Sequence, residues 1–227
     1  MVQSIPFLLV IAPFGLLFGV VAAAAGLDLA KVMGFSIVVL AGASQFTVVQ
    51  LLSDHAPVWL VIVSGIAVNL RMAMYSASIV PWLGMASQPT RLAVAYALID
   101  QTYVLSITQF QDAPQLSLAQ RLGYFTGTAI VLCGAWVGFS LIGATAGRAI
   151  PASVPLDFAV PITFIAMIAP ALRSPAHIAA ASVAAIGGLA LAGLPAGVGT
   201  MIAALLAMLA GAGVEIATTR HKPEPRQ

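Results

Sequence analysis

The sequence predicts an all-α fold, that of a polytopic helical membrane protein with seven or eight transmembrane segments, and three observations carry that prediction. Of 227 residues, 61% are hydrophobic and only 7% charged, against about 25% charged in soluble domains. Mean hydropathy is +1.05. The apolar segments run about 18 to 25 residues, enough for a helix to cross a bilayer, and lack the period-two alternation of outer-membrane strands.

Composition also excludes several classes. The net charge is +2, with nine basic residues spread singly along the chain, so there is no nucleic-acid footprint. Cys133 is the only cysteine and reads as a small buried hydrophobe, with no partner for an intrachain disulfide and no spacing for a metal site. No HExxH, GxSxG or phosphate-binding loop is present, so neither an enzyme nor a cofactor is expected.

The first helix is expected from Ile5 to Ala25, retained as a span because no basic n-region precedes it. Pro13 frees a carbonyl and predicts a kink. Gly15 and Gly19 repeat the small-xxx-small spacing of close helix packing. Gly26-Leu27-Asp28 makes a turn, and Asp28 is the expected N-cap of a second helix running through Lys31 and Gly34 to Leu52. Ser53 to Pro57 forms a polar connection containing His55. A third helix follows from Val58 to Trp82, with Trp59 and Trp82 near its two ends as interfacial aromatics.

Gly84 to Arg91 reads as a loop and Leu92 to Phe110 as a fourth helix carrying Asp100 near its middle. Gln111 to Gln115 is the most hydrophilic internal connection. Leu118 to Ile150 is apolar and long for one span at about 1.5 Å per residue. The shorter run Leu156 to Leu172 contains Pro161 and Pro170, as a discontinuous or re-entrant transporter helix would. Ala176 to Ala192 and Val198 to Ala217 complete the spans. Residues 1–217 thus form one transmembrane domain, with halves 1–110 and 118–217, and 218–227 form a polar, disordered tail. Gly15 to Ala41 lays loosely over Gly138 to Ala169, a weak internal repeat. With eight spans, Arg121, Arg173, Arg220, Lys222 and Arg226 share one side and Lys31, Arg91 and Arg148 the other, which places the C-terminus in the cytoplasm.

Two polar clusters interrupt the apolar runs: Gly42-Ala43-Ser44-Gln45-Phe46, and Asn69-Leu70-Arg71 with Tyr75-Ser76. Arg71 and Asp100 each cost about 2.5 to 3.5 kcal/mol at the centre of a lipid-facing helix, so neither should face lipid. Helical spacing puts Arg71, Tyr75 and Ser78 on one face and Tyr96, Asp100 and Tyr103 on another. Opposed, these faces bring a guanidinium to a carboxylate. That pair can be structural, fixing helix register, or it can meet a zwitterion, with Arg71 taking a carboxylate and Asp100 an ammonium or a proton. At Gly42 to Gln45 the helix either unwinds and exposes backbone amides to a ligand, or stays helical with Ser44 and Gln45 bonding between helices.

Pro13-Phe14-Gly15 with Phe18-Gly19, GASQF at 42–46, Asn69-Leu70-Arg71 with Tyr75-Ser76, Asp100, and Leu156-Asp157-Phe158 together resemble the AzlC family, the large subunit of bacterial branched-chain amino acid exporters. The resemblance covers essentially the whole chain. It implies export of leucine, isoleucine, valine or methionine across the inner membrane and a small AzlD-type membrane partner. On that reading Gly42, Ser44, Gln45, Phe46, Asn69, Arg71 and Tyr75 form the substrate site, and Asp100 carries the proton or contacts the ammonium. Two positions depart from the family: Met72 stands where His is frequent after Asn-x-Arg, and Gln101 where an acidic residue is frequent. Both lack a titratable group, which leaves Asp100 as the main candidate for proton coupling. An exporter or channel for another small solute, or a non-transporting membrane scaffold, are the competing expectations.

Overall fold

The computed structural model describes residues 2–147, 165, 172–194 and 198–219. Among these, all regular structure is helical. A 3-10 turn, Val2–Ser4, leads into α1 (Ile5–Ala24), α2 (Leu29–Val38), α3 (Gly42–Ser53), α4 (Val58–Leu83), α5 (Gln88–Tyr96), α6 (Asp100–Asp112) and α7 (Leu118–Gly147). Further on lie α8 (Pro175–Ala190) and α9 (Val198–Thr219), which pack against each other. Three helices, α1, α4 and α7, are long and apolar enough to cross a membrane.

The pair α1 and α7 forms the most extensive helix–helix contact of the first seven helices, and small residues on both sides make it possible. A Cβ at Gly19 would collide with the backbone of Ser140, Gly143 and Ala144. One at Gly143 would collide with the backbone of Leu16, and one at Gly147 would lie 2.9 Å from the Cα of Val20. The Gly15 and Gly19 spacing on α1 therefore has a counterpart in Gly143 and Gly147 on α7, the arrangement that lets two backbones approach in lipid. Pro13 lies inside α1 without ending it.

Beside this pair, α2 packs on α7, α3 sits between α1 and α4, and α6 contacts both α7 and α4. Phe18, fully buried, is the hub of the core: its ring meets Phe35 at 6.1 Å, Phe46 at 5.7 Å and Trp136 at 5.9 Å between centroids. Such aromatic pairs add about 0.5 to 1.5 kcal/mol beyond the area they bury. A second core gathers Ile79, Leu83, Val94, Leu98, Phe110 and Phe125.

Two expected helices are each split in two. The helix expected from Asp28 to Leu52 stops at Val38 and restarts at Gly42, with Val39 at φ −118° and Ala41 at φ −142° in extended backbone. At the break the freed Ile37 O is served by the Tyr96 hydroxyl, and Phe35 O, which already accepts from the Val39 amide at 2.9 Å, also accepts from the Gln45 side-chain amide at 2.9 Å. The helix expected from Leu92 to Phe110 starts earlier, at Gln88, stops at Tyr96 and restarts at Asp100. Thr102 closes that second gap, accepting from the Ile99 amide at 2.9 Å while its hydroxyl faces Ala97 O at 2.9 Å and Ile99 O at 3.0 Å. Asp100 therefore begins a helix; it is not in the middle of one.

Asp28 is an N-cap as expected, accepting from the Lys31 amide at 2.8 Å. His55 sits in the exposed turn between α3 and α4 at φ 54°. Apart from Ile165 and Leu172, the proline-broken run from Leu156 to Leu172 lies outside the described residues, as do most of the second repeat copy, Arg148 and the tail from Arg220 onward.

Candidate functional site

Both gaps open onto one cavity of about 240 Å³. Leu40, Ala41, Gly42 and Ala43 line it from the first break, and Ile99, Asp100 and Gln101 from the second. Arg71 and Met72 come from α4, Phe46 from α3, Trp136 from α7, and Val10, Ile11 and Phe14 from α1. Among the described residues its wall is thus mainly apolar, with one cationic and one anionic side chain. Drug-sized ligands fill pockets of about 300 to 1,000 Å³, so this volume suits a smaller solute.

The charged groups meet: Arg71 Nη2 lies 3.0 Å from Asp100 Oδ2, with the two side chains 34% and 35% exposed. The pair engages only half of each group. Arg71 Nε and Asp100 Oδ1 are buried without a hydrogen-bond partner. Asp100 stands in the first turn of α6, where the positive end of the helix dipole favours its carboxylate. Across the cavity, α3 begins at Gly42 with Ala41 as N-cap and no side-chain cap. A helix start of this kind presents amide donors to an anion.

The remaining predicted residues are placed around this centre. Tyr75 is within interaction range of Asp100 and Arg71 and stacks on Tyr103 at 4.3 Å and 10°. Ser78 and Tyr103 share a hydrogen bond at 2.8 Å, so the two faces read from helical spacing do oppose each other, except that Tyr96 falls before the break. Gly42, Phe46, Arg71 and Asp100 line the cavity. Ser44, Gln45, Asn69 and Tyr75 do not. Ser44 donates to Gly65 O at 3.1 Å, tying α3 to α4, and Gln45 spans the first break. Asn69 faces a separate groove with Ser44 and Gly65. Gly15 and Gly19 serve the α1 to α7 contact. Among the described residues no group of three or more His, Cys, Asp or Glu is placed to hold a metal.

Sequence reasoning missed Trp136 and the second break. A tryptophan in mid-span, away from both interfaces, was the available signal for the first, because its N–H needs an acceptor that lipid cannot supply. The second break carries no Gly or Pro, only Ala97-Leu98-Ile99, and nothing local announces it.

The family profile described as AzlC protein matches residues 6–150, which contain every residue of the cavity. The chain belongs to the AzlC family. Within curated proteins it is similar to the "Inner membrane protein YgaZ" of Escherichia coli (strain K12), 23% identical over 201 residues, 85% of this chain and 81% of that protein. It is also similar to an "Uncharacterized membrane protein" of Archaeoglobus fulgidus, 28% identical over 185 residues, 80% of this chain and 78% of the relative. No solved structure matches the chain. This AzlC protein is thus a membrane protein whose family match includes both helix breaks and the Arg71 to Asp100 pair.

Proposed function

We propose that the protein is a secondary transporter exporting branched-chain and other hydrophobic amino acids across the inner membrane, coupled to protons. The observation that carries this reading is a charge pair joined through one atom of each member, with Tyr75 beside it, set at two helix breaks in an otherwise apolar cavity. An amino acid zwitterion complements it. Its carboxylate meets the uncapped start of α3 and the free Arg71 Nε, its ammonium meets Asp100 Oδ1, and its side chain lies against Phe14, Phe46 and Ile11. Discontinuous helices with their N-termini turned to an anionic substrate group are a recurring transporter device. Proton coupling is assigned to Asp100, the one carboxylate of the cavity.

On this reading each broken pair, Leu29–Ser53 and Gln88–Asp112, counts as one span. With α1, α4, α7, α8, α9 and the run at 156–172 this gives seven or eight, with the C-terminus cytoplasmic. Ser44, Gln45, Asn69 and Tyr75 act by holding the breaks and α4 in place around the substrate. A small AzlD-type subunit completes the exporter. The test is efflux of labelled leucine from proteoliposomes holding this chain together with that subunit. Efflux that rises with an imposed proton gradient is expected, and no efflux of any hydrophobic amino acid would sink the proposal.

A further inference from the structure

Trp136 has a feature that packing does not account for. The residue is 8% exposed, its ring is stacked on Phe18 at 27°, and it lines the cavity. Yet its Nε1 is buried with no hydrogen-bond partner. A phenylalanine would fill much of the same space without leaving a donor unmet, which costs about 1 to 3 kcal/mol.

The position of the ring says what could meet that donor. A Cβ at Gly42 would lie 2.7 Å from Cη2, 3.2 Å from Cζ3 and 3.3 Å from Cζ2 of Trp136, so the indole edge rests on the first residue of α3 and requires glycine there. Cζ2 is two covalent bonds from Nε1, about 2.5 Å, which keeps the donor within about 6 Å of that point. The indole N–H therefore stands at the same end of the cavity as the uncapped amides of α3. Nε1 is covered and has no acceptor where it stands, and no side chain caps the first amides of α3.

Resting on the transport reading above, we infer that Trp136 is a substrate-contacting residue, donating its indole N–H to the carboxylate of the transported amino acid at the start of α3. The contact selects for a carboxylate, and Gly42 is the residue that lets the ring come close enough to make it. Substrates in which the carboxylate is replaced by an amide keep the ammonium and the side chain but lose the charge that makes this hydrogen bond strong.

The full chain is tested in proteoliposomes, with the small subunit present, using leucine and leucinamide as competing substrates. Trp136→Phe keeps the ring and deletes the donor. It is expected to reduce the preference for leucine over leucinamide about tenfold or more, the range of a hydrogen bond to a charged group. An unchanged preference overturns the inference even where efflux falls, because lost packing would weaken both compounds alike. A second measurement leaves Trp136 in place: Trp59→Phe with Trp82→Phe makes it the sole tryptophan of the three. Its fluorescence should shift saturably with leucine and much less with leucinamide, and no shift at a leucine concentration that saturates efflux overturns the inference. If the wild-type chain exports no hydrophobic amino acid, the transport reading itself fails. If it does and Trp136→Phe keeps its preference, only the role of Trp136 fails.

Discussion

Neutralising the charge pair separates its structural from its transport contribution. At 3.0 Å between Arg71 Nη2 and Asp100 Oδ2, the attraction is about 5.5 kcal/mol at an effective dielectric of about 20 and about 1.4 kcal/mol in water. Both side chains are one-third exposed, so screening brings the coupling towards the lower figure, about 2 kcal/mol. Asp100→Asn leaves Arg71 charged in an apolar cavity, and Arg71→Gln does the same to Asp100. Each single change should destabilise the protein by about 3 kcal/mol, because an uncompensated charge costs more than the pair contributes. The double variant should recover about 2 kcal/mol relative to the sum of the two. Denaturant titration in detergent micelles measures the cycle, and leucine efflux is measured on the same four proteins.

Stability and transport should then part company. The double variant recovers stability only relative to the sum of its two single changes and exports no leucine, because neither the carboxylate nor the ammonium of the substrate finds its counter-charge. Additive effects in the cycle would mean that the pair does not form. Near wild-type efflux by the double variant would leave the pair as a register device and remove it from the substrate site.

Three further outcomes follow from the geometry. Gly19→Ala should leave little folded protein in detergent extracts, as its Cβ meets backbone that cannot yield, whereas Gly134→Ala, with nothing within 4 Å, should raise the melting point slightly through helix propensity, about 0.5 to 1 kcal/mol. Thr102→Val should cost about 0.5 to 1.5 kcal/mol by leaving the Ile99 amide only its 3.0 Å bond to Ala97 O, and Thr102→Ser should recover most of it in the same melt. Lys31 holds the Asp28 carboxyl below its ordinary value of 3.8 through side-chain and backbone hydrogen bonds and its charge. That contribution is complete above 3.8 and is lost as pH falls through the lower folded value. Lys31→Ala should move the Asp28 titration up towards 3.8 by carbon-detected NMR, and Asp28→Asn should remove it.

The sequence made some of this legible and hid the rest for physical reasons. The extents of α1, α4 and α7 follow from unbroken apolar runs, and the meeting of Arg71 with Asp100 follows from the cost of turning either towards lipid. Helix breaks are different. The second lies in Ala97-Leu98-Ile99, apolar residues of ordinary helical character, and the first is held open by Tyr96, whose hydroxyl reaches Ile37 O across 59 positions of chain. Such gaps are decided by which remote groups can serve the freed carbonyls, and local propensity carries no trace of that. Gln45 shows the same limit. Its place beside Ser44 reads as a ligand contact or an interhelical bond, while its amide in fact serves the helix immediately before it, at Phe35 O.

The two breaks are also held in different ways. The second closes on itself: Thr102 serves Ile99 and faces Ala97 O within one turn, so its hydrogen bonds need no group from another helix. The first depends on Gln45 from within α3 and on Tyr96 at the end of α5. The α3 amide cluster is therefore tied through Ile37 to the helix that precedes Asp100. Displacing α5 from α2 would strip Ile37 O of its partner, which in lipid costs several kcal/mol unless another donor arrives. The anion end of the cavity and its carboxylate thus share one hydrogen bond, and a motion that opens one side of the site must either keep Tyr96 on Ile37 or offer that carbonyl a substitute.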